Sequence, residues 1–220
     1  MQKLAILVTR LSSWVLSKMG RGGSMPGRLG IKIAPDCLNH LKFGGPVILV
    51  TGTNGKTSTA NMVSDLMEEA GYKVVTNRKG DNLRVGITST LLSHCSLSGR
   101  VKADAAVLEV DELNMKYIVP ALPVTAIVVN NFFRDQLDRA GEMERIIDTI
   151  ESVLPDYQGD LILNGNDPNV VRLAMAAPNA RKIYFGAAKN ASTVEHSAEA
   201  AEGKFCPKCG WNMIFISILI

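Results

Sequence analysis

From Pro46 onward, short apolar runs of β-favouring residues alternate with stretches whose apolar positions recur at helical spacing. The runs predict strands at 47–50, 73–76, 105–110, 125–129, 160–163 and 182–185. The stretches between them predict helices at 56–70, 87–93, 112–119, 142–153 and 170–176, with Gly71 stopping the first. Alternation of this kind gives an α/β fold, a mainly parallel sheet with flanking helices. Ahead of it, Leu4, Leu7, Val8, Leu11, Trp14 and Val15 recur at helical spacing within Lys3–Lys18. They predict an amphipathic helix with that stripe buried in the core. A signal peptide and a membrane-surface helix are the alternatives, although Arg10 interrupts the apolar run a signal peptide needs. The glycines and proline of Gly20 to Gly27 read as a loop, and 187–204, rich in Ala, Ser, Asn and Glu, as a surface linker.

Val47-Ile48-Leu49-Val50 runs directly into Thr51-Gly52-Thr53-Asn54-Gly55-Lys56-Thr57-Ser58, and a helical pattern begins at once. A strand, a glycine loop and a helix in this order form a P-loop. The glycines let backbone N–H groups face one point, the helix N-terminus adds partial positive charge and Lys56 adds a full one. The residues Gly52, Thr53, Asn54, Gly55, Lys56, Thr57 and Ser58 are thus expected to hold the phosphates of ATP, with the Thr57 hydroxyl on Mg2+. The general P-loop pattern places glycine where this chain has Val50. A glycine turn that binds nothing is the competing reading, opposed by the agreement of both glycines, the lysine, the strand and the helix.

Ligands of an open parallel sheet bind beyond the carboxyl ends of its strands, and here those ends are polar. Glu109 follows one run, and its carboxylate suits Mg2+; the alternative is a solvated acid at a helix start, of which Asp111 and Glu112 are the better examples. Asn130 and Asn131 follow the next run and open an Asp- and Arg-rich segment, Asn131 to Glu142, which reads equally as surface salt bridges. Asn164 and Asp167 stand where adenine or ribose could be hydrogen-bonded, and equally where Asn-Gly and Asp-Pro make ordinary turns.

The chain has 220 residues, 46% of them hydrophobic, which supports one sizeable α/β domain with small attachments. A formal net charge of +3 gives no strongly basic field, so no nucleic-acid partner is expected. Of the cysteines, Cys37 and Cys95 are scattered, as are His40, His94 and His196, whereas Cys206 and Cys209 are spaced as half of a structural Zn2+ ribbon. The second pair is missing; inert thiols and a redox pair are the alternatives. The run after Gly210 is too short to span a bilayer, and a cytoplasmic protein is expected.

Taken in order, Gly20-Arg21-Gly22-Gly23 with Pro26-Gly27, Thr51 to Thr57, Thr76-Asn77-Arg78 with Gly80-Asp81-Asn82-Leu83, Leu108 to Glu112, Asn131 to Glu142, Leu163 to Pro168 and Cys206 to Gly210 resemble the Mur ligase family. Within it they are most similar to the ligase-like subunits of lipid II isoglutaminyl synthases. The resemblance implies an ATP-dependent carbon–nitrogen ligase that activates the D-glutamate α-carboxyl of lipid II as an acyl phosphate. Ammonia would come from a GatD-type glutamine amidotransferase partner, and the work would take place at the inner face of the membrane. It implies Lys56 and Thr57 on the phosphates and Mg2+, Glu109 on a metal, Asn164 and Asp167 on the nucleoside, and Asn82 toward substrate or phosphates. Related ligases carry a histidine near the metal where this chain has Gln136, a weaker ligand. The same resemblance divides the chain into an N-terminal helical segment (1–45), an ATP-binding central domain (46–203) and a partial zinc ribbon (204–220). A C-terminal ligase domain would then follow, so these 220 residues are expected to bind nucleotide without completing amidation. Folylpolyglutamate synthase shares the phosphate loop and is one alternative; a nucleotide-binding module without chemistry is another.

Overall fold

The computed structural model describes residues 1–20, 23–77, 81–132, 140–186, 193–194 and 217–218. Six strands form one parallel sheet: β1 (Val47–Thr51), β2 (Val74–Thr76), β3 (Ala105–Glu109), β4 (Ala126–Val129), β5 (Asp160–Asn164) and β6 (Arg181–Phe185), in the order β2-β3-β1-β4-β5-β6. Every predicted strand is present. β1 and β3 are buried along nearly their whole length, as unbroken apolar runs should be in a sheet covered on both faces.

Alternate residues serve opposite faces. Val47, Leu49, Ala106, Leu108, Ile127, Val129, Leu161 and Leu163 belong to the larger core. Ile48, Val50, Val107, Val128 and Ile162 belong to a smaller one with Ala60, Val63 and Met67 of helix α3 (Lys56–Glu69). Gly71, at φ +89°, ends α3 in a Schellman motif: Tyr72 N donates to Met67 O and Gly71 N to Glu68 O. The larger face carries α4 (Arg84–Ser93), a one-turn α5 (Met115–Ile118), α6 (Ala140–Glu151) and α7 (Pro168–Ala176). Helix α4 begins three residues before its apolar periodicity does, and the predicted helix at 112–119 starts as a 3-10 turn, Glu112–Asn114, capped by Asp111. Thr193–Val194, inside the stretch read as a linker, pairs antiparallel with Ser217–Ile218.

Two expectations for the N-terminal region are overturned. Helix α1 (Gln2–Lys18) exists, but Ala5, Ile6 and Thr9 are its buried residues, while Leu4, Leu7, Leu11, Trp14 and Val15 face outward. Part of the supposed glycine loop is helical: α2 spans Met25–Ile33, with Pro26 in its first turn, where a missing N–H costs nothing. Both corrections share one cause. A Cβ on Gly27 would overlap the Val85 carbonyl of α4, and one on Gly30 would press on Thr9 of α1. The glycines of α2 therefore let three helices approach closely through small side chains, with Ser89 Oγ accepting from Gly27 N at 2.9 Å and Ser13 Oγ meeting Ser93 Oγ at 2.9 Å. Such a seam accepts Ala5 and Thr9 and has no room for the leucine stripe.

Gly27→Ala should lower unfolding free energy by about 1–3 kcal/mol in urea titration, since the obstructing atoms are backbone. Gly141→Ala, with nothing within 4 Å, is the control and should leave stability unchanged or slightly raised. Equal effects would contradict the close packing of α2.

Candidate functional site

β1 lies between β3 and β4, so the chain turns away from β1 on either side and leaves a crevice at the carboxyl end of β1. Register aligns the polar strand ends around it: Val50 pairs with Glu109, and Thr51 with Val129 just ahead of Asn130.

The loop after β1 has the backbone a phosphate cradle requires. Gly52 (φ +123°) and Gly55 (φ +77°) adopt conformations that side chains disfavour, and Gly55 is the N-cap of α3. A Cβ on Gly52 would lie 2.9 Å from both backbone N and O of Asn131, so glycine is also needed for the close approach of the β4 end. That end clamps the loop. Asn131 accepts from Thr53 N through its carbonyl (2.8 Å) and from Asn54 N through Oδ1 (2.9 Å). Its Nδ2 donates to Asn54 O at 3.1 Å, and Asn130 Nδ2 donates to Thr59 Oγ1 at 3.0 Å. Thr57 and Ser58 are exposed at the start of α3.

Beside the loop sits a buried carboxylate. Glu109 is 4% exposed, accepting from Thr57 Oγ1 at 2.8 Å through Oε2 and from Asn82 Nδ2 at 2.9 Å through Oε1. The buried Asn77 amide brackets its backbone, accepting from Glu109 N (2.9 Å) and donating to Glu109 O (2.8 Å). The reading of Glu109 as a solvated acid does not fit. It fits Asp111, whose Oδ1 caps the next turn by accepting from Leu113 N and Asn114 Nδ2.

Glu112 departs from the expectation of a solvated acid: it is 6% exposed and its Oε1 accepts from Lys56 Nζ at 3.1 Å. Lys56 Nζ also donates to Gly52 O (2.6 Å) and Thr53 O (3.2 Å), so the ammonium lies at the mouth of the loop. Burial pushes the Glu112 carboxyl above its ordinary value of 4.5, an effect its backbone hydrogen bond and Lys56 partly offset.

At the end of β5, Asn164 Nδ2 donates to Asn130 O (2.8 Å), while Asp167 accepts from Phe132 N (2.7 Å) and caps α7 through Asn169 N (2.9 Å). Both side chains tie the β5 end to the β4 end. Gln136, Cys206, Cys209 and His196 lie outside the described residues. Cys37 and Cys95 are buried free thiols, as packing residues should be. Among the described residues no group of three or more His, Cys, Asp and Glu could hold a metal ion, and no helix is long and apolar enough to cross a membrane.

The donors that do converge are hard oxygens: one carboxylate and one hydroxyl, held together. Mg2+ is commonly bound by one or two carboxylates plus phosphate oxygens, so this set fits a metal that arrives with a polyphosphate. Of the residues met here, Asn77 and Glu112 were not singled out as site residues from sequence. Asn77 carried a signal as a polar residue just after β2, and Glu112 carried none that separated it from Asp111.

Residues 50–217 match the family model described as the Mur ligase middle domain. The chain is 31% identical over 95% of its length to the lipid II isoglutaminyl synthase (glutamine-hydrolyzing) subunit MurT of Staphylococcus aureus (strain COL), covering 47% of that protein. It is 33% identical over 94% of its length to the MurT subunit of Streptococcus pneumoniae, covering 45% of it. The chain thus spans about half the length of the curated relatives it matches. Its fold is similar to that of MurF ligase from Thermotoga maritima in complex with ADP, with a TM-score of 0.54 over 82% of this chain and 39% of that one, at 18% identity.

Asn77→Ala should cost about 1–3 kcal/mol in urea titration, because two buried backbone groups of Glu109 lose their partner. Glu112 should show itself through pH. The folded chain holds its proton more tightly than the unfolded one, so Glu112 contributes stability below the ordinary value that is lost as pH rises toward the raised one. The thermal midpoint of Glu112→Gln should therefore gain on wild type as pH is raised from about 4 to 7. A difference independent of pH would contradict the burial of that carboxylate.

Proposed function

The chain belongs to the Mur ligase family, and we propose that it is the ATP-binding part of a ligase subunit that amidates the D-glutamate α-carboxyl of lipid II. What carries this reading is the 2.8 Å bond from Thr57 Oγ1, at the head of α3, to the buried Glu109 carboxylate beyond β3. It joins a phosphate cradle to a hard-oxygen metal ligand at the switch point of the sheet. The similarity to MurT over nearly the whole chain supports the choice of substrate.

In this proposal the free amides at the N-terminus of α3 hold the triphosphate, those of Thr53 and Asn54 being held by Asn131, and Gly52, Thr53, Asn54, Gly55 and Ser58 line its approach. Lys56 turns its ammonium from the loop carbonyls to the phosphoryl oxygens, while Glu112 keeps that ammonium near the loop. Thr57 and Glu109 would hold Mg2+, which supplies charge neutralisation as the γ-phosphoryl passes to the substrate carboxylate. Asn82 orients the Glu109 carboxylate and would face the substrate or the phosphates. Asn164 and Asp167 fix the β5 end against β4, where the nucleoside would lie. Ammonia, which a GatD-type glutaminase partner would deliver, then attacks the acyl carbon: the C–N bond forms, the C–O bond to the phosphoryl group breaks, and inorganic phosphate leaves as the nitrogen loses a proton. The protein would work in the cytoplasm, at the membrane that carries its lipid-linked substrate. For zinc, Cys206 and Cys209 would supply two of the four ligands a structural site needs.

Calorimetric titration with ATP should show saturable binding that requires Mg2+. Lys56→Ala should weaken it by about 1.5–3 kcal/mol, ten- to a hundredfold, the worth of hydrogen bonds to a charged group. With the C-terminal ligase domain and the glutaminase both supplied, lipid II, and not tetrahydrofolate with glutamate, should be the acceptor that stimulates ATP turnover. Unaltered ATP affinity in Lys56→Ala would sink the nucleotide site; stimulation by the folate alone would sink the substrate.

A further inference from the structure

Helix α1 turns an apolar face outward. Leu4, Leu7, Leu11, Trp14 and Val15 are 43 to 60% exposed. At about 100° per residue they fall on one stripe, opposite Ala5, Ile6 and Thr9, which pack toward α2 and α4. The same helical spacing puts Lys3 and Arg10 along one edge of the stripe and Lys18 at its end, and all three are exposed. Acidic residues are missing from this region: Lys3, Arg10, Lys18, Arg21, Arg28 and Lys32 all precede Asp36, the first carboxylate in the chain.

An apolar stripe with tryptophan among leucines, bordered by cations, is the composition of a helix that lies in a bilayer interface. Tryptophan favours the headgroup level, and lysine and arginine reach it by extending their stems along the apolar boundary. At 17 residues α1 is about 26 Å long, and among the described residues no helix is long and apolar enough to cross. A second copy of the chain is a poorer occupant, because docking two such stripes would bring cation against cation. We propose that α1 is an interfacial helix that docks the chain on an anionic phospholipid bilayer, with Leu4, Leu7, Leu11 and Trp14 at the acyl boundary and Lys3, Arg10 and Lys18 among the phosphates. The docking is independent of nucleotide chemistry and is read without ATP or acceptor.

The test uses the 220-residue chain carrying Trp211→Phe, which leaves Trp14 as its single tryptophan. It should co-sediment with vesicles containing phosphatidylglycerol and not with phosphatidylcholine alone. Trp14 emission should shift to the blue on binding, and added salt should weaken the association. Leu7→Glu with Leu11→Glu should reduce binding by at least about tenfold at an unchanged thermal midpoint, both positions being exposed. Leu7→Ala with Leu11→Ala should fall between, and Lys3→Glu with Arg10→Glu should remove the preference for anionic lipid. Absence of vesicle binding would overturn the proposal, as would equal binding to both lipids. So would undiminished binding by the glutamate variant, or a dimer in sedimentation that this variant dissolves without any vesicle binding.

Discussion

A parallel sheet gathers the carboxyl ends of its strands along one edge, and where the chain reverses its direction of winding it cannot cover that edge. Here the reversal falls at β1, with β3 on one side and β4 on the other. Every feature of the candidate site follows from that placement: the glycine loop from β1, Glu109 from β3, the asparagine clamp from β4 and the Asn164–Asp167 turn from β5. Moving β1 or β3 would separate the loop from its carboxylate.

Charge is arranged at this crevice in two couples. Glu109 meets the neutral Thr57 at the head of α3 and the neutral Asn82 ahead of α4, so its charge remains available to a cation. Glu112 meets the Lys56 ammonium directly, and both are largely buried. A buried pair of this kind adds little net stability, because desolvation cancels much of the attraction, but losing one partner strands the other. The pair is better understood as positioning. It holds a flexible lysine at the mouth of the glycine loop.

The sheet and the glycine loop after β1 were legible because both are written locally. Apolar runs, the glycine spacing and a lysine at the head of a helix need no knowledge of the rest of the chain. Glu109 was legible as the polar residue that ends a fully apolar run. Glu112 was not, because a 3-10 turn rather than a regular helix turns it inward, and Asp111 beside it looks the same in sequence. The N-terminal stripe shows the limit most clearly. Periodicity reports that Leu4, Leu7 and Leu11 share a face, but which face is covered depends on Gly27 and Gly30, residues of a helix whose glycines looked like a loop.

The central claim is that Glu109 and Thr57 form one half of a metal site whose other half is the triphosphate. Electron paramagnetic resonance of Mn2+ titrated with ATP, the manganese standing in for magnesium, reads that site directly. Wild type should immobilise Mn2+ only when nucleotide is present, and Glu109→Gln, at an unchanged thermal midpoint, should immobilise far less of it. If the glutamine variant immobilised Mn2+ as wild type does, the carboxylate beyond β3 would not be the ligand, and the convergence described here would be structural alone.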